Sequence, residues 1–87
     1  MEGKNIFIVT QETQMCGETY YATIAAYSNE EDAKKKMKEL IKEDMSYFEN
    51  EFPIDDIFVD ENEHAIYINV IDSDEYSKIE IKKITLY

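Results

Sequence analysis

The sequence predicts an α+β fold: an antiparallel sheet of four to five strands with one amphipathic helix packed on one face, in the order ββα(β)ββ. Three observations point there. Two β-branched and aromatic runs come first, an apolar stripe at three- and four-residue steps follows a helix-start signal, and alternating apolar runs close the chain. At 87 residues the chain forms one domain, residues 1–87, because so short a chain buries only about 60–65% of the surface its unfolded form exposes and cannot fill two cores.

Ile6-Phe7-Ile8-Val9-Thr10 is apolar on both parities, as expected of a strand with a neighbour on each side. The polar stretch from Gln11 to Thr19, which holds Cys16 and Gly17, suits a hairpin loop. Tyr20 to Tyr27 then reads as the second strand, with Tyr20, Ala22, Ile24 and Ala26 on one face and Tyr21, Thr23, Ala25 and Tyr27 on the other. Ser28 and Glu31 have the spacing of a capping box, and Glu30, Glu31 and Asp32 suit the positive end of a helix dipole. From there Ala33, Met37, Leu40, Ile41, Met45, Phe48 and Phe52 trace one stripe with lysines opposite, and Pro53 stops the helix near Glu49 to Phe52. Ile57 to Asp60 reads as a possible short strand and Ala65 to Ile71 as a stronger one. In the last strand Ile79 and Ile81 share one parity and Ile84 and Leu86 the other. A β-bulge at Lys82-Lys83 would absorb that change, and one is expected there.

The nine basic residues, all lysine, face twenty acids, for a formal charge of −11. That balance opposes any surface that grips phosphates, so direct binding to nucleic acid is not expected. No basic residue lies between Lys42 and Lys78, and twelve acids fall in that gap. The tract therefore carries all of the net charge. It is interleaved with Ile57, Phe58, Val59, Ile66, Tyr67, Ile68, Val70 and Ile71, which need burial, so its carboxylates are held on a scaffold rather than on a disordered tail.

Chemistry-bearing patterns are sparse. One histidine, His64, and one thiol, Cys16, read as a surface histidine and a loop cysteine rather than a catalytic dyad, so no catalytic residue is assigned. Asp72-Ser73-Asp74-Glu75 begins like a calcium loop but lacks its glycine and distal glutamate, and no metal site is assigned. The clusters Asp60-Glu61-Glu63 and Asp72-Asp74-Glu75 flank Ala65 to Ile71, about 20 Å apart at roughly 3.3 Å per residue, too far to share an ion. With Gly3 and Gly17 as the only glycines there is no phosphate-cradling loop, and no cofactor is expected. One cysteine excludes an internal disulfide. No window reaches the roughly 20 apolar residues of a membrane span, and the start Met-Glu-Gly-Lys-Asn lacks a secretory pattern, so a cytoplasmic protein without membrane partners is expected.

Seven tyrosines exceed what one small core can hold, and rigid rings with hydroxyls favour protein contacts when exposed. Tyr67 and Tyr76 lie in the acidic tract. With Asp55, Asp56, Asp60, Glu61, Glu63, Asp72, Asp74 and Glu75 they form the candidate partner-binding set. Such a surface pairs carboxylates with a basic partner and rings with its guanidinium groups, so the acids can stand in for phosphates.

Asn5-Ile6-Phe7-Ile8-Val9-Thr10 and Ala25-Ala26-Tyr27-Ser28-Asn29-Glu30-Glu31-Asp32-Ala33-Lys34 resemble small ββαββ proteins of bacterial and phage genomes over residues 4–42. In size, acidity and lack of catalytic groups the chain is also similar to phage-encoded anti-CRISPR inhibitors. That likeness implies a non-enzymatic inhibitor, phage or mobile-element encoded and acting in the host cytoplasm. Its partner would be a basic nucleic-acid-binding protein such as a CRISPR effector. The alternative is a small cytosolic regulatory or scaffolding module that binds protein without nucleic-acid mimicry.

Overall fold

The computed structural model describes residues 3–15 and 17–86, so the expectation for a Cys16 loop and any structural role of Tyr87 lie outside the described residues. Strands β1 (Lys4–Met15) and β2 (Glu18–Tyr27) precede helix α1 (Glu30–Glu51). A 3-10 turn (Ile54–Asp56) leads into β3 (Ile57–Glu61), β4 (Ala65–Val70) and β5 (Tyr76–Leu86). The sheet is antiparallel throughout, in the order β2-β1-β5-β4-β3. The helix therefore carries the chain from one edge strand, β2, to the other, β3. At about 1.5 Å per residue its 22 residues run roughly 33 Å, enough to cover one face of the sheet.

The helix-side face and α1 enclose two apolar clusters. Val9, Ala33, Met37, Leu40, Ile66, Ile79 and Ile81 form the first, and Phe48, Ile68 and Val70 the second, with Ile41 packed against both. The stripe seen in the sequence is thus the buried face of α1. Between the clusters, Asp44 on the helix accepts hydrogen bonds from Gln11 Nε2 of β1 at 2.7 Å and from the Ser77 hydroxyl of β5.

Four local expectations change. The helix cap is Asn29 rather than Ser28: its extended backbone (φ −132°, ψ 153°) lets Asn29 Oδ1 accept from the Asp32 amide at 2.8 Å, and Asn29 Nδ2 donates back to the Asp32 carboxylate at 2.9 Å. The reciprocal box lies one residue later because asparagine caps as well as serine. Gln11 to Met15 are strand, not loop, since alternation sends Gln11 to the Asp44 contact and Glu12 and Gln14 to the open face, and Glu18 and Thr19 are strand too, paired with Met15 and Gln14. The bulge is not in β5, whose pairing with β1 is continuous from Lys4–Leu86 to Gln14–Tyr76. Ile84 and Leu86 instead point away from the helix and are 42% and 49% exposed. The register shift lies between β1 and β2, where Val9 pairs with Ala25 and Thr10 with Thr23. That leaves Ile24 as the extra residue, and it packs on the helix-side core with Tyr27. The faces assigned to β2 therefore exchange along the strand. The segment from Ile54 to Asp60 is settled as a 3-10 turn entering β3.

Candidate functional site

The predicted set divides according to the ends of the sheet. Gln14 pairs with Tyr76, Tyr76 with Asn69 and Met15 with Glu18, which brings the β1–β2 connection and the β4–β5 turn to one end. The Ile71 amide donates to the Asp56 carbonyl at 2.8 Å, holding the 3-10 turn there. The C-terminal part of α1 joins it, since the Tyr47 hydroxyl donates to Glu75 at 2.9 Å. Asp55, Asp56, Asp72, Asp74 and Glu75 thus share an end with Glu18, Glu49 and Glu51, which sequence reasoning did not place beside them. Asp72 supplies the left-handed residue of the turn, with φ 57°, a conformation that aspartate and asparagine tolerate better than most residues.

The lysines lie elsewhere. Lys34, Lys35, Lys36 and Lys38 occupy the first half of α1, Lys42 lies just past its middle, and Lys4, Lys82 and Lys83 lie at the far ends of β1 and β5. Lys78, two residues inside β5, is ion-paired to Glu80 at 3.0 Å, toward the far end. Asp55, Asp56, Asp72 and Asp74 take part in none of the ion pairs among the described residues. The last turn of α1 holds no basic residue. Glu49 and Glu51 stand where the helix dipole is already negative, and where a lysine would be worth about 0.3–1 kcal/mol. Local stability does not account for acids in those places.

Glu61 and Glu63 lie at the opposite end. There they line a shallow depression of about 370 Å³ with Lys34, Met37, Lys38 and Asn62. Nearby, Lys34 donates to Glu30 at 3.1 Å, and with His64 Nε2, also at 3.1 Å, holds that carboxyl below its usual range. This end mixes both signs of charge. His64 is an exposed side chain on Glu30, as its place at the start of β4 suggested.

Asp60, Tyr67 and Tyr76 stand on the open face of the sheet, opposite the helix. Asp60 pairs in register with Tyr67, the Tyr67 and Tyr76 rings stack at 5.8 Å, and the Tyr76 hydroxyl donates to Glu12 at 2.6 Å. That bond to Glu12 holds the phenol above its usual range. Beyond them Lys82 donates to the Tyr21 hydroxyl at 3.2 Å and lies 5.7 Å from its ring centre. Against the expectation of burial, Phe58 (51%), Val59 (47%) and Ile71 (51%) are exposed, because β3 is an edge strand and Ile71 lies just past the end of β4.

Among the described residues no group of three or more His, Cys, Asp or Glu side chains could hold a metal ion, and no helix is long and apolar enough to cross a membrane. No family model, curated protein or solved structure matches the chain.

Proposed function

We propose that this chain is a non-enzymatic inhibitor that seats its acidic end in the basic nucleic-acid channel of a larger enzyme, similar in character to those phage-encoded anti-CRISPR families that are acidic and occlude a nucleic-acid site. One observation carries the reading: among the described residues eight acids and no lysine gather at one end of the sheet, two of them at a helix terminus that disfavours them. The twelve acids and no lysine between Lys42 and Lys78 supply the excess negative charge, and folding sets a large share of them at that end, where they can meet lysines and arginines that would otherwise hold phosphates.

The test is displacement. A labelled single strand bound to a basic effector, a CRISPR nuclease first, is titrated with this protein at rising salt. Release at low salt is the expected result, together with a direct affinity of this protein for the effector, measured without the strand, that weakens by about tenfold or more between roughly 50 and 200 mM as counterion release demands. No release at the lowest salt would contradict it. The exposed Phe58 and Val59 on the edge strand favour a second reading, a protein-binding module that needs no mimicry, whose binding would barely respond to salt.

A further inference from the structure

We infer that β3 is a docking edge which takes an extended basic segment of the partner as a sixth strand. This rests on the reading of a basic partner and adds how that partner is held. Strand β3 is the free edge beside β4. The bonds from Ile71 N to the Asp56 carbonyl (2.8 Å) and from Asn62 N to the Ala65 carbonyl (2.9 Å) fix the phase of the ladder. Even-numbered residues of β3 face β4, so Val59 and Glu61 turn their backbone N–H and C=O groups outward. The Ile57 amide is engaged by the Ile54 carbonyl, which leaves Val59 and Glu61 as the ladder's open donors.

Soluble proteins guard such edges with lysine, proline or a bulge, and β3, Ile57-Phe58-Val59-Asp60-Glu61, has none of these. Its guard is mainly acidic: Asp55-Asp56 on one side and Asp60-Glu61 on the other bracket Ile57-Phe58-Val59, with Asp60 on the open face and Glu61 sharing the helix-side depression with Lys34 and Lys38. A second copy pairing here would set carboxylates against carboxylates, so the guard works against this chain itself. It works in favour of a strand whose apolar centre is bracketed by lysine or arginine. Phe58 and Val59, each about half exposed, point to opposite faces and offer that centre a contact on either side.

The probe is the peptide Lys-Lys-Val-Phe-Val-Lys-Lys, capped at both ends. Its control, Lys-Val-Lys-Phe-Lys-Val-Lys, has the same composition and charge. Because the pattern of each reads alike in both directions, strand polarity does not matter. Titration into the labelled protein is followed by amide shifts and hydrogen exchange. The bracketed peptide is expected to bind more tightly and to slow exchange at Val59 and Glu61. Val59→Pro, which removes an outward amide that no internal bond among the described residues uses, should weaken it by about tenfold, the order of a lost backbone pairing. Val59→Lys, which leaves the backbone intact, should do the same through repulsion. Equal binding of both peptides without slowed exchange at those amides would overturn strand pairing and leave the charge reading standing. If neither peptide bound at low salt, both would fall.

Discussion

Asp44 on the helix and Gln11 on β1, both half-buried, meet between helix and sheet at 2.7 Å, amide nitrogen to carboxylate, in the gap between the two apolar clusters. The Ser77 hydroxyl completes the contact. Burial pushes the Asp44 carboxyl above its usual range, partly offset by those two donors, and neighbouring Glu43 adds to the rise. A carboxyl whose folded value is raised favours the fold fully below its unfolded value, and that support is lost as pH rises through the folded value. Asp44→Asn keeps an oxygen for Gln11 and Ser77 without the charge. The variant's melting temperature relative to the parent should therefore be more favourable at pH 7 than at pH 3. A difference independent of pH would show that the carboxylate is not held against its preference.

Phe48 is fully buried between α1 and the β4 side of the sheet, against Ile68 and Val70. Phe48→Ala should cost about 3–5 kcal/mol, a large part of the 5–15 kcal/mol typical of a domain. Urea unfolding should show a lower midpoint with an unchanged slope.

The cap distinguishes two neighbours. Asn29→Ala should lose about 1 kcal/mol, because the Asp32 amide loses its acceptor. Ser28→Ala should change stability by less than about 0.5 kcal/mol. Equal losses would place the cap where the S-x-x-E spacing alone would put it.

Glu49→Lys and Glu51→Lys should each stabilise the protein, by about 0.3–1 kcal/mol, since each replaces an acid at the negative end of the helix dipole. The same changes should weaken strand displacement. Stability rising while displacement falls is the pattern expected of residues kept for a partner.

The parts of the fold that were legible are those where hydropathy and burial coincide. Ala33, Met37, Leu40 and Phe48 recur at helical spacing and are the buried residues of α1, and Ile66, Ile68 and Val70 alternate in β4 as they pack. Gln11 to Gln14 misled because one of them, Gln11, is bonded to the half-buried Asp44 carboxylate, so a strand read as a loop. Ile24 gave no sign of its bulge, being an ordinary strand residue with no glycine beside it. In the site, the acidic tract was visible but its division was not. Topology joins Glu18 to Asp72 and Asp74 across the sheet end, and sends Glu61 and Glu63 to the end that holds Lys34 and Lys38.

The central claim is that one end of the molecule, rather than its total charge, engages a partner. Its most direct test compares two variants that each lose four carboxylates: Asp55→Asn/Asp56→Asn/Asp72→Asn/Asp74→Asn at the acidic end, and Glu31→Gln/Glu39→Gln/Glu43→Gln/Glu63→Gln away from it. Asparagine at position 72 tolerates the left-handed backbone found there, so the first variant should fold. Displacement of a labelled strand from a basic effector at low salt should fall by at least about tenfold in the first and stay within about twofold of the parent in the second, as a localised electrostatic interface requires. Equal losses in both variants would contradict a directed surface and leave the acids as a general coat.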